Sequence, residues 1–251
     1  MLKKRIIPTL LFNNLKLVKG INFRSWRTAG SIMQAIRIYN IREVDELILL
    51  DIAATNSKKK VDLELVEEIA NECFMPLTFG GGINSIKDIS ELLKAGADKV
   101  CINTAACEDY DFIYKACKTF GNQAIVGSVD YKNEQNENII YSNSGTKKTK
   151  LIFKDHLLEL EKIGVGEVII TSIDKDGTLD GYDINTLKLA TTMLKIPVIA
   201  SGGAGSFEDM LNTIEKANVS ALAAASIYHF TKHTPLDVKK YLNEKKIPVR
   251  I

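Results

Sequence analysis

Short, strongly apolar runs recur along the whole chain, each followed by an amphipathic, charged segment: RIIPTLL, DELILLDIA, PLTFGG, KVCINT, AIVGSVD, EVIITSI, PVIASGG and SALAAAS. Runs this apolar leave no face for water, which suits parallel strands covered on both sides. Their alternation with helical segments is the βαβ pattern. At 251 residues, the repeats fit an α/β chain folded as one (β/α)8 TIM barrel, a single domain over 1–251. The segments between the runs carry helix signals. SIKDISELLKAGA opens on Ser85, puts Ile86, Ile89, Leu92 and Leu93 on one stripe and stops at Gly96. The polar stretch from 131 to 150 reads as a loop insertion after the fifth strand, with IIYS inside it as a small hairpin.

The chain also resembles itself. Glu46 matches Glu167, Pro76 matches Pro197, and Gly81-Gly82 match Gly202-Gly203, all at one 121-residue offset (46 to 167, 76 to 197, 81 to 202). A constant offset predicts two duplicated half-barrels. An open doubly wound sheet is the alternative, but it does not account for two equivalent halves.

Charge and cysteine usage narrow the function classes. With 33 basic against 31 acidic residues, the net +2 gives no surplus to hold a polyanion, so nucleic acid is not expected as a partner. Cysteines 73, 101, 107 and 117 show no CxxC spacing and no histidines placed to complete a zinc site, which predicts free thiols in a reducing cytoplasm. In MLKKRIIPTLLFNN, Pro8 interrupts the apolar run and no small-residue cleavage site follows, so neither a signal peptide nor a membrane span is expected.

Two loops carry anion-binding chemistry. FGGGINS (79 to 85) and SGGAGS (201 to 206) each follow an apolar strand and precede a helix. Glycines there let backbone N–H groups approach an anion, and the helix terminus adds partial positive charge. Tight βα turns explain either loop alone; the duplication favours a pair of phosphate cradles gripping a substrate with two anionic ends. INTA (102 to 105) and AAASI (223 to 227) sit where small or hydroxyl residues complete each cradle. Asp51, Asp130, Asp174 and Asp176 close apolar strands, and barrel strands present those ends at the reaction face. Asp51 also fits a role bonding loop amides, and Asp176 before Gly177 fits a turn. Asp130 has the least obvious turn role and is the candidate acid/base. Lys19 fits a loop folding over the mouth, as a phosphate clamp or a solvated charge. His229 and His233 share i, i+4 spacing without a third ligand, and His156 fits a helix surface, so no metal and no cofactor are expected.

Essentially the whole chain resembles the cyclase (synthase) subunit family of imidazole glycerol phosphate synthase, through KRIIP, VKGINF, DELILLDI, PLTFGGGI, AGADKVCIN, TSIDKDGTLDGYD, PVIASGGAG and KIPVRI. The resemblance implies a barrel that binds a two-phosphate substrate at one face and receives ammonia at the other from a docked glutaminase subunit. It assigns Gly82, Asn103 and Thr104 to one phosphate site, and Asp176, Gly177, Gly203, Ala225 and Ser226 to the other. Lys19 matches a mobile-loop lysine. Arg5, Glu46, Lys99 and Glu167 match a ring of charges at the ammonia entrance, and Asp98 matches a residue contacting the glutaminase. The chain departs from the family at one place. The family uses opposed aspartates at the ends of strands one and five; Asp130 is the second, and Leu11 stands where the first belongs.

A leucine can neither take nor give a proton, and one acid/base group contributes about 10²–10⁴ in rate. TLLF, with AIRIYNIREVDELILLDI and ECFMPL, resembles a paralogous group associated with acetamidino modification of surface-glycan sugars, which works beside a separate sugar amidotransferase. The leading expectation is therefore an ammonia-receiving synthase-type subunit, paired with a glutaminase, that supports amidation (acetamidino formation) of a surface-glycan sugar, with a phosphorylated small molecule or nucleotide sugar as substrate. The alternatives are the histidine-pathway cyclase and a non-catalytic scaffold that activates a glutaminase.

Overall fold

A computed structural model describes residues 2–13, 16–42, 44–57 and 61–251. Eight parallel strands form a closed ring: β1 (Arg5–Asn13), β4 (Leu47–Asp51), β5 (Leu77–Gly80), β6 (Lys99–Ile102), β7 (Ile125–Glu134), β10 (Glu167–Ser172), β11 (Val198–Ser201) and β12 (Ala221–Ala224). Pairing of β7 with β10 and of β12 with β1 closes it. This is the (β/α)8 barrel that the alternating runs predict. Strand alternation sends Ile6 and Leu10 outward against the helices, while Ile7 joins Ile48, Cys101, Val126, Ile169 and Ile199 in an apolar layer inside the barrel. Pro8, lacking an N–H, is the last residue of β1 in register with β12; from Thr9 onward the register runs with β4.

The helices follow their caps. In α4 (Ile86–Lys94), Ser85 accepts from the Asp88 N–H, Ile89 and Leu92 are buried, and Gly96 leaves the helix with φ 107°. The last helix, α11 (Pro235–Glu244), begins with a capping box and places Lys239, buried, 3.1 Å from Asp45. Asp45 also accepts from the Ile6 N–H, tying this helix to the first barrel strand.

Two antiparallel additions rise above the ring. After β1 come β2 (Lys16–Ile21) and β3 (Arg24–Ser31), joined through Asn22 and Phe23 with φ 52° and 58°, the positive pair of a tight hairpin turn. The stretch expected to be a loop insertion is instead mostly ladder: β7 continues past the barrel to pair with β8 (Glu137–Ser142), which pairs with β9 (Lys147–Ile152). Its polar residues line a two-sided ribbon, so composition alone reads as loop.

Candidate functional site

At the N-terminal end of the barrel, four charges alternate in a closed circuit. Arg5 lies 2.7 Å from Glu46 and 2.6 Å from Glu167; Lys99 lies 2.8 Å from Glu46 and 2.6 Å from Glu167. Thr78, which sequence reasoning gave no role, donates to Glu46 at 2.9 Å. Burial pulls the Arg5 guanidinium down, but its two carboxylate partners outweigh that and hold it above its ordinary value. Burial likewise pushes Glu167 up, and Arg5 and Lys99 reverse it. Asp98 is exposed at the same end, where its carboxylate accepts from the Leu77 N–H at 2.8 Å.

The opposite end holds a cavity. Its wall brings together Lys19, Gly82, Asn103, Thr104, Asp130, Asp176, Gly177, Gly203, Ala225 and Ser226, the candidates from both glycine loops and their partners, whereas Asp174 is exposed outside it and accepts from the Asn133 N–H. The glycine conformations match a cradle: Gly82 has φ 70° and Gly203 φ 110°, and a Cβ at Gly203 would collide with the Gly181 carbonyl. Asn103 donates to the Ser128 carbonyl at 3.0 Å, while the Thr104 hydroxyl accepts from the Asn143 N–H at 3.0 Å. Ser226 is buried with its hydroxyl unpartnered, beside the backbone of Ala225 at the start of α10 (Ser226–Phe230).

Asp130 is buried on the cavity wall, and burial pushes its carboxyl up to about 7. The hydroxyls of Thr171 and Ser128 bond it and pull the other way; the Asp176 charge adds to the rise. Ser128 lies two residues before Asp130 on one strand face, a signal that period-two reading can find; Thr171 comes from the neighbouring strand and needs the register. Leu11 lines the same cavity from β1 and offers no proton. Aromatic rings of Phe23 and Trp26 from the β2–β3 hairpin complete the wall, also unforeseen.

Three expectations need correction. Lys19 is neither in a loop nor solvated: it lies in β2, 1% exposed, 2.6 Å from Asp176, because the hairpin folds back over the mouth and its Asn22 donates to the carbonyls of Ile173 and Asp174. Burial still holds Asp176 above its ordinary value. His156 is not on a helix surface but 1% exposed, bonded to Tyr110 and lowered to about 4 by burial. His229 and His233 do not share a helix, since α10 ends at Phe230; among the described residues no cluster suits a metal ion. Asp51 follows its modest reading, accepting from the Ala53 and Ala54 N–H groups. All four cysteines are free, and burial pushes Cys101 up to about 12. Among the described residues no helix is long and apolar enough to cross a membrane.

Residues 5–234 match the family described as histidine biosynthesis protein. The chain belongs to that family. Across 251 residues it is 45% identical to the imidazole glycerol phosphate synthase subunit HisF of Dehalococcoides mccartyi, covering 100% of this chain and 99% of the relative. HisF of Dictyoglomus thermophilum is 46% identical, with 100% of both chains covered. A Campylobacter jejuni subunit provisionally named hisF2 of the same synthase is 45% identical, again over 100% of both. This family member is thus HisF-like over its whole length, and none of these names mentions a sugar or a glycan.

Proposed function

We propose that this chain is the ammonia-using synthase subunit of a glutamine-dependent complex of the imidazole glycerol phosphate synthase type. The observation that carries the reading is the cavity in which Asp130 sits among two glycine loops, at the end of the barrel opposite the Arg5–Glu46–Lys99–Glu167 ring. A glutaminase subunit docks at the ring end, near Asp98, and releases ammonia there. The cradle of Gly82, Asn103 and Thr104 takes one anionic end of the substrate. Gly177, Gly203, Ala225 and Ser226 take the other, with Asp176 fixing Lys19 above it. Holding both ends fixes the reacting carbon over the barrel axis.

A carboxyl that titrates near 7 is present in both forms at neutral pH, so Asp130 can accept a proton in one step and return it in another. The relatives' names support imidazole glycerol phosphate formation as the reaction, and they support it better than the amidation that Leu11 suggested. Formation of that product from ammonium salts by the purified chain tests the reading. In it, the chain acts as one cytoplasmic domain and needs no cofactor.

Leu11 favours a second reading. If the reaction of the HisF relatives needs two opposed acid/base groups, a chain with one suits an acceptor that needs only one: a phosphorylated or nucleotide-linked sugar amidated with the help of a sugar amidotransferase. Transfer of glutamine nitrogen to such a sugar, without imidazole glycerol phosphate formation, would establish it.

A further inference from the structure

Alternation along β1 sorts its inward side chains by depth. Arg5 joins the charged circuit, Ile7 the apolar layer, and Leu11 the upper cavity. Between the last two lies Thr9, on the cavity wall and 9% exposed, in register with Ile48 of the apolar layer. Its hydroxyl has no hydrogen-bond partner in the protein. Ser128 and Thr171, two other hydroxyl residues of the lining, stand beside Asp130, Ser128 on the same strand and Thr171 in register with it on the next. Buried hydroxyls are almost always paired, and an unpaired one in a cavity wall is completed by whatever occupies the cavity.

We propose that Thr9 Oγ1 is the binding point of the nucleophile, a small neutral amine, at the upper surface of the apolar layer. The inference rests on the ammonia-using reading above. Ammonia brings three N–H donors and one lone pair; the threonine hydroxyl can donate its O–H to that lone pair or accept an N–H, and rotation of the hydroxyl from the first to the second frees the lone pair to meet the substrate. Ile7 below and Leu11 above are apolar, and a site walled this way favours neutral amine over ammonium, whose charge has no partner there. Water fits the same oxygen and competes for it. Leu11 thereby acquires a consequence beyond the missing proton: no charged group on β1 stands next to the nucleophile.

Hydroxylamine is the probe, because it is a neutral amine at pH 7.5 and its two heavy atoms distinguish it from water in electron density. Crystals of the wild-type chain and of Thr9→Ser should show it within hydrogen-bonding distance of the residue 9 oxygen, and crystals of Thr9→Val should not. Only water at Thr9 in the soaked wild type, or the same hydroxylamine position in Thr9→Val, overturns the proposal. Valine keeps the shape and removes an unpaired polar atom, so the variant is expected to fold; Thr9→Ser covers the case in which it does not. In turnover with ammonium salts, Thr9→Val should raise KM for ammonia about tenfold, the worth of one hydrogen bond, leave KM for the phosphorylated substrate unchanged, and be rescued by serine. If the wild type makes no imidazole glycerol phosphate, the reaction assignment fails, while the soak still decides Thr9.

Discussion

Replacing Asp130 by Asn should stabilise the fold, by an amount that grows as pH rises from about 4 to about 7. The Asp130 carboxyl titrates at about 7 when folded against an ordinary 3.8, chiefly because it is buried. Between those two pH values the folded chain holds a proton that the unfolded chain has released, so folding stability falls as pH rises through the window. Below about pH 4 both states are protonated and the burial costs little; above about pH 8 the whole cost is felt. At 1.36 kcal/mol per pH unit, moving the carboxyl from 3.8 to about 7 amounts to up to about 4 kcal/mol. The amide introduced by Asp130→Asn carries no charge and keeps an acceptor for the Thr171 and Ser128 hydroxyls, so the variant escapes that cost. Urea unfolding of both proteins from pH 4 to pH 8.5, with equal m values, should show the variant ahead by several kcal/mol at pH 8.5 and by less than about 1 kcal/mol at pH 4. A difference independent of pH would refute the reasoning, since it would mean that Asp130 ionises as easily folded as unfolded.

Gly203→Ala should abolish the thermal stabilisation that inorganic phosphate gives the wild type, because its Cβ meets the Gly181 carbonyl at a φ of 110°; a melting series with and without phosphate reads it. Asp45→Ala should cost about 1–3 kcal/mol by removing the acceptor of the buried Ile6 N–H, together with the Asp45 contact to Lys239, measured by denaturant unfolding. Asp98→Lys should weaken co-purification with a co-expressed glutaminase subunit, by several kcal/mol if it meets a cation. Asp98→Asn, which keeps an acceptor for the Leu77 N–H, separates docking from folding.

The parts legible in the sequence are those written locally. Each strand announces itself by an apolar run, α4 by Ser85 and its stripe, and each cradle by glycines between a strand and a helix. Asp130 stands out because no turn explains it. What was not legible depends on residues far apart in the chain. Lys19 reads as a loop cation because its partner Asp176 is 157 positions away, and only the hairpin's return over the mouth buries it. The charged circuit draws on three separate strands and the residue just ahead of a fourth, so only family resemblance gathered it. His156 reads as a surface residue on its own helix, and a tyrosine from the preceding helix covers it. Thr9 is ordinary in a strand; that its hydroxyl lacks a partner emerges only once the barrel closes. The reaction is hardest to read, since Leu11 changes the chemistry of the mouth while leaving both cradles in place.

Imidazole glycerol phosphate formation from ammonium salts, measured for the wild-type chain beside Leu11→Asp, tests the account most directly. The account predicts slow but measurable turnover by the wild type and an increase of about 10²–10⁴ when the second carboxyl is supplied opposite Asp130. No product from either protein across the ammonium range would contradict it.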